Sequence, residues 1–230
     1  MGFTTEMPTS DELRKLMETG FAGTERDHSD RMNVLTALGC RPGDRLLDFG
    51  CSWGYGSWQL AKRGYDVTSL EVSKPRAEYA AKNLDVHVVT SLETLSNEPN
   101  LESRFDIFFS SHVIEHVSAV STVLNLAFRL LKPGGLLVLF TPNGSPGYRK
   151  RQPRLWHTFW GFWHVTLPDD VFYDSYFQSA ARVFASIPYD LATITPDLLQ
   201  GNRRTELDLT GPEMLFVARK EEALIRDWRE

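Results

Sequence analysis

The 230-residue sequence predicts an α/β fold: a doubly wound, mostly parallel sheet with helices on both faces. Three observations carry this. Short apolar runs of strand length alternate with helix-length segments from residue 45 onward. The run Leu46-Leu47-Asp48-Phe49-Gly50-Cys51-Ser52-Trp53-Gly54-Tyr55-Gly56 reads as a buried strand, a glycine-rich turn and the first turn of a helix. A second strand ending at Leu70 then delivers Glu71 at its carboxyl end, 21 positions after Gly50. Short connections and right-handed crossovers put a ligand at the carboxyl ends of the strands.

The elements follow in order. Helix signals cover 10–19, with Ser10 as N-cap and Gly20 as stop, and 30–38, stopped by Gly39. A strand at 45–50 leads into a helix at 54–63 ended by Gly64, then a strand at 66–71 and a helix at 75–83 capped by Ser73. A strand at 86–90, a turn-rich link and a strand at 105–110 come next. In 119–131, Val120, Val123, Leu124, Ala127, Phe128 and Leu131 form a 3.6-period stripe that should face the sheet. Strand 136–141, a helix at 169–179 and strands at 182–187 and 213–219 complete the chain, with no internal repeats.

Size and composition bound the function. A chain of this length forms one α/β domain that buries about 70–75% of its unfolded surface. Hydrophobic content of 42% and charged content of 24% describe a soluble globular protein. The longest purely apolar stretches are strand-sized, so no membrane span is expected. The N-terminal stretch carries Glu6, Asp11 and Glu12 and no apolar h-region, and two cysteines make no disulfide framework. A cytoplasmic location is the expectation. A net charge of −5 argues against nucleic acid as partner.

The spacing of Gly50 and Glu71 is that of a βαβ unit holding a carboxylate against the hydroxyls of a ribose, so a nucleoside-containing cofactor is expected. A dinucleotide is disfavoured. Ser52 stands where the second glycine of G-x-G-x-x-G would fall, and a frame starting at Gly54 ends on Gln59. Asp48 would also sit poorly beside a pyrophosphate and well beside an ammonium group.

Asp48-Phe49-Gly50-Cys51-Ser52-Trp53-Gly54 resembles motif I of the class I S-adenosylmethionine-dependent methyltransferases, usually Asp-x-Gly-Cys-Gly-x-Gly, with Ser52 replacing the middle glycine. The resemblance runs to about residue 143. Arg104 to His112 is similar to the family's fourth strand and following turn, and Glu115-His116-Val117 to a signature of its small-molecule branch. Leu130 to Val138 is similar to its helix, Pro-Gly-Gly turn and fifth strand, closed by Thr141-Pro142-Asn143. The resemblance implies a Rossmann-like sheet of seven strands with an antiparallel last strand. It implies one domain over 1–230: a helical cap at 1–44, a cofactor core at 45–143, an aromatic and basic acceptor lid at 144–170, and the rest of the sheet at 171–230.

It also implies the cofactor S-adenosyl-L-methionine and roles for particular residues. Gly50, Cys51 and Gly54 would lay main chain against the methionine portion, with Asp48 near its amino group or serving only to cap the helix. Glu71 would accept both ribose hydroxyls, with Val72 beside it. Ser91 and Leu92 fall where relatives meet the adenine, Ser91 replacing the usual acid. Ser110 and His112 would offer main-chain carbonyls to the ammonium group.

The reaction implied is methyl transfer to a small molecule, more readily at oxygen than at nitrogen or carbon, with His116, His157 and His164 as candidate proton acceptors. Residues 143–170 hold Tyr148, Arg149, Lys150, Arg151 and Arg154, then Trp156, His157, Phe159, Trp160, Phe162, Trp163 and His164. Cations followed by aromatics suit an anionic or ring-bearing acceptor. The same residues could equally form a hydrophobic cover. Trp156, Trp160 and Trp163 would share one face of a helix. Three other readings stay open: a non-catalytic adenosyl-ligand binder, an NAD-dependent oxidoreductase, and a metallohydrolase. The last rests on His112-Val113-Ile114-Glu115-His116, which spells H-x-x-E-H. No third ligand on a downstream helix is evident, so no metal is expected. The sequence leaves a homo-oligomer open.

Overall fold

The computed structural model describes residues 7–97, 99–159, 161 and 164–221. Helices α1 (Ser10–Glu18) and α2 (Ser29–Ala37) precede the sheet. Strands β1 (Arg45–Phe49) and β2 (Asp66–Leu70) flank helix α3 (Tyr55–Lys62), and helix α4 (Lys74–Leu84) leads to β3 (Val88–Val89). Helix α5 (Leu92–Asn97) occupies the link expected to be only turns, followed by β4 (Phe105–Ser111), α6 (Val120–Leu130) and β5 (Leu131–Pro142). Helices α7 (Pro146–Arg151), α8 (Pro153–Thr158) and α9 (Asp170–Tyr176) precede β6 (Arg182–Ser186), β7 (Arg204–Glu206) and β8 (Glu213–Arg219).

One sheet runs in the order β3-β2-β1-β4-β5-β8-β6-β7. The strands are parallel except β8, which is antiparallel to both β5 and β6. The antiparallel last strand is as expected; the count is eight rather than seven. The extra strand is β7, a three-residue edge strand paired in parallel with β6. Arg204-Thr205-Glu206 is too short and too polar to carry a strand signal, and only its pairing makes it one.

Side chains alternate across the sheet with the period of a strand. Phe108, Leu137, Leu139 and Phe216 face one layer with the buried stripe of α6 and with Tyr173 of α9. Ile107, Phe109, Val138, Phe140 and Val217 face the other, with Met32 and Leu35 of α2 and Leu60 of α3. Both layers are buried, so the central strands read as continuous apolar runs. The Pro133-Gly134-Gly135 turn lies within β5. Its pairing to β4 shifts between Leu131, opposite Phe105, and Leu136, opposite Ile107, and Gly134 takes φ +80° there.

One expected cap moves and the other stays in place. The N-cap of α1 is Thr9 rather than Ser10, closing a capping box with Glu12. Ser73 sits at the N-cap of α4 without a side-chain cap hydrogen bond; the Ser73 N–H instead donates to Glu71. Among the described residues no helix is long and apolar enough to cross a membrane. The strand order reverses between β1 and β4, which opens a crevice at their carboxyl ends.

Candidate functional site

The glycine loop lies at that crevice. Gly50 and Gly54 adopt φ of +86° and +83°, a region closed to most side chains. Neighbouring groups also fill the space beside them. A Cβ on Gly50 would lie 2.4 Å from Val113 Cγ2, and one on Gly54 2.6 Å from Ala80 Cβ. Ser52 takes φ +53°, so the residue replacing the motif's middle glycine keeps a left-handed backbone at a cost of about 1 kcal/mol.

Glu71 is buried at the end of β2 and ties the loop to the next helix. Its Oε2 accepts from the Ser52 N–H at 2.9 Å and its Oε1 from the Ser73 N–H at 2.7 Å. Each carboxylate oxygen keeps a further lone pair for a ligand hydroxyl. Val72 and Leu92 are large apolar side chains left exposed, at 64% and 38%. Ser91 accepts from the Glu93 N–H at 3.1 Å, so its hydroxyl serves the first turn of α5.

Asp48 points into the protein. The Ser57 hydroxyl, in the first turns of α3, donates to Asp48 Oδ2 at 2.6 Å, and the Ser69 hydroxyl donates to Ser57 Oγ at 2.9 Å. Burial pushes the Asp48 carboxyl up to about 6, against the hydrogen bond from Ser57. Burial first, then the nearby Asp48 and Glu71, also raises the Cys51 thiol and keeps it protonated. Gln59, the residue that breaks the dinucleotide pattern, is a buried tie: its Nε2 donates to Arg26 O at 2.8 Å and its Oε1 accepts from the His28 N–H at 3.0 Å.

The end of β4 gathers residues far apart in sequence. The Ser110 hydroxyl turns back to donate to Phe49 O at 3.0 Å, whereas His112 takes φ +55° and projects between two carboxylates. Its Nε2 lies 2.5 Å from Glu213 Oε2 and its Nδ1 3.3 Å from Glu115 Oε1. Burial opposes its charge, but these two carboxylates outweigh burial and raise its pKa to about 9. Glu213 also pairs with Arg31 of α2 and accepts from the Tyr189 hydroxyl at 2.6 Å. Glu115 is fully buried, and neither of its oxygens has a hydrogen bond of good geometry.

The H-x-x-E-H run is not helical as that signature requires. Only Ile114–His116 form a turn, of 3-10 type, and both nitrogens of His112 face carboxylates. His112 and His116 therefore do not pair as helical metal ligands. His116 packs instead against His164, with ring centroids 4.9 Å apart. One ligand atom each from Glu115, His116 and His164 lie within 4.8 Å of one another.

Residues 47–139 match the family described as methyltransferase domain, which spans the glycine loop, Glu71 and the β4 turn. That segment of the chain is similar to the family. The chain is 33% identical over 119 residues to a ubiquinone biosynthesis O-methyltransferase of Alkalilimnicola ehrlichii, covering 49% of this chain and 47% of that one. It is 31% identical over 120 residues to a malonyl-[acyl-carrier protein] O-methyltransferase of Serratia marcescens, covering 52% and 46%. The chain thus spans about half the length of the curated relatives it matches. Among solved structures, geranyl diphosphate C-methyltransferase from Streptomyces coelicolor aligns with a TM-score of 0.61 at 18% identity, over 95% of this chain and 86% of that one. That likeness shows a shared fold.

Outside the matched methyltransferase segment, residues 144–170 build a small core of their own. Tyr148, Trp156 and Leu167 are buried together, and Tyr148 stacks on Phe159 at 5.8 Å. The Trp156 indole N–H donates to Gly144 O at 3.2 Å and Arg149 lies over its ring at 4.6 Å. For Trp156 the hydrophobic-cover reading holds. Helix α8 ends at Thr158; of the expected helical face only Trp156 can be placed, since Trp160, Phe162 and Trp163 lie outside the described residues. Arg149, Lys150, Arg151 and Arg154 are all exposed. His157 is exposed and meets the edge of Trp156 at 5.3 Å, whereas His116 and His164 pack together. Sequence reasoning missed Arg31, Tyr189 and Glu213, whose partners are 182, 101 and 24 positions apart, with no local signal.

Proposed function

We propose that this chain transfers a methyl group from S-adenosyl-L-methionine to an oxygen of a small-molecule acceptor. The observation that carries the cofactor site is Glu71. Its carboxylate braces the glycine loop through Ser52, keeps a further lone pair on each oxygen, and is followed by the exposed apolar Val72. That combination suits a vicinal diol next to a flat ring, the ribose and adenine of the cofactor. The bound cofactor supplies an electrophilic methyl group on sulfur.

The chain's own task is alignment and exclusion of water. Val72 and Leu92 would flank the adenine, Glu71 the ribose, and the main chain of Gly50 to Gly54 the methionine portion. Asp48 acts from below: buried and bonded to Ser57, it fixes the turn into α3 rather than touching the ligand. The main-chain carbonyls of Ser110 and His112 remain the candidates for the ammonium group.

Oxygen as acceptor atom draws support from the two relatives named above, both O-methyltransferases. A hydroxyl must lose its proton as the methyl arrives, and the paired His116 and His164 are the candidate groups nearest a buried carboxylate. His157, exposed on α8, remains the third candidate. The exposed Arg149, Lys150, Arg151 and Arg154 suit an anionic acceptor. The reading is tested by titration calorimetry with S-adenosylhomocysteine and NAD, then a screen of hydroxylated acids for methyl uptake from labelled cofactor.

A further inference from the structure

We propose that Glu115, His116 and His164 form a binding site for one zinc-like divalent metal ion, on the acceptor side of the cofactor crevice. The absence of a third ligand on a downstream helix argued against a metal in the sequence. The fold supplies that ligand from a loop: the Thr166 N–H donates to Glu115 O at 3.1 Å, which clamps the chain carrying His164 onto the turn carrying Glu115 and His116.

Each ligand is prepared for a cation. Glu115 is buried: its Oε1 faces His112 at 3.3 Å, and its Oε2 has no hydrogen bond, which leaves a buried lone pair for a cation. His164 Nδ1 lies 2.5 Å from Phe159 O. A carbonyl can only accept, so Nδ1 carries the proton and Nε2 keeps its lone pair, the outer-shell arrangement common at metal-bound histidines. His116 stands edge-on to that ring at 4.9 Å. His112, held by Glu213 on its far nitrogen, lies 3.3 Å from Glu115 Oε1 and orients the carboxylate. The ligand atoms lie within 4.8 Å of one another, so small side-chain adjustments reach zinc-ligand bonds of about 2.0–2.2 Å.

Two imidazoles and one carboxylate favour zinc-like ions over magnesium, which takes oxygen ligands. Three protein ligands leave a coordination position open. That position would take the acceptor's oxygen; only this role rests on the methyl-transfer reading, whereas binding itself does not.

The test uses the full chain, stripped with chelator, titrated calorimetrically with Zn²⁺ and separately with Mg²⁺, and checked by metal analysis after dialysis. The expected result is one Zn²⁺ per chain, with Mg²⁺ at least a hundredfold weaker. His164→Ala and Glu115→Gln should each weaken Zn²⁺ at least tenfold. Their thermal unfolding, and the affinity for S-adenosylhomocysteine measured in parallel, report whether the fold survives. No saturable Zn²⁺ binding, or binding unchanged in His164→Ala, overturns the site. Binding of S-adenosylhomocysteine without Zn²⁺ would sink the metal site alone. Zn²⁺ binding without it would leave the site standing and remove the methyltransferase reading.

Discussion

His112 Nε2 and Glu213 Oε2 lie 2.5 Å apart, joining the end of β4 to the start of β8 across 101 residues of sequence. Glu213 holds Arg31 of α2 in the same grip, so one buried carboxylate ties the helix preceding the sheet to the rim of the crevice. Its own pKa is held below the usual range: burial would raise it, but His112 and Arg31 lower it further.

Glu213→Ala should therefore destabilise the fold by about 3–5 kcal/mol, because it leaves two cationic groups without their buried partner. Glu213→Gln should cost less, since the amide oxygen still accepts hydrogen bonds. Urea unfolding of both variants checks this; equal, small losses would mean the cluster holds nothing together.

Asp48 sets a pH dependence. Its folded pKa, about 6, lies above its ordinary value of 3.8. Between those values the native state binds more protons than the unfolded chain, so stability falls as pH rises from about 4 to 6. The size is on the order of 3 kcal/mol, from 1.4 kcal/mol per unit. Asp48→Asn should flatten that part of the stability profile. A slope equal to wild type in the variant would assign the effect to other groups.

Ser52→Gly should be neutral or stabilising, by up to about 1 kcal/mol, because the position already adopts φ +53°. Thermal melts decide it, and a destabilisation above 1 kcal/mol would mean that the Ser52 side chain contributes contacts that glycine cannot.

Within 144–170, Trp156→Ala should lose about 3–5 kcal/mol of stability, as a buried aromatic does. Arg154→Ala, at an exposed site, should leave stability within about 0.5 kcal/mol. If the segment meets an anionic acceptor, Arg154→Ala should lower acceptor turnover at least tenfold, about 1.4 kcal/mol in transition-state stabilisation. Unchanged turnover would remove Arg154 from the acceptor's surroundings.

The legible parts were those whose chemistry is local. Gly50, Gly54 and Glu71 mark a loop whose glycines answer to backbone angle and close packing, and the continuous apolar runs at 107–109 and 136–140 report a sheet buried on both faces. The stripe of α6 was visible because eleven residues span three turns. Helices α5, α7 and α8, each of six residues, are too short for a periodic signal. Strand β7 exists only through its pairing with β6. The Glu213 cluster joins residues 31, 112, 189 and 213, and nothing in the neighbourhood of any of them announces the others. The H-x-x-E-H spacing misled for the converse reason: it fits a helix, and the chain there makes a single 3-10 turn beginning after a left-handed His112.

The central claim is that the crevice beside Glu71 holds an adenosyl cofactor, and calorimetric titration of the purified chain tests it most directly. S-adenosylhomocysteine should bind at one per chain, Glu71→Ala should weaken it by about 1–3 kcal/mol, and NAD should give no saturable heat. Saturable NAD binding with no response to S-adenosylmethionine or S-adenosylhomocysteine would contradict the account.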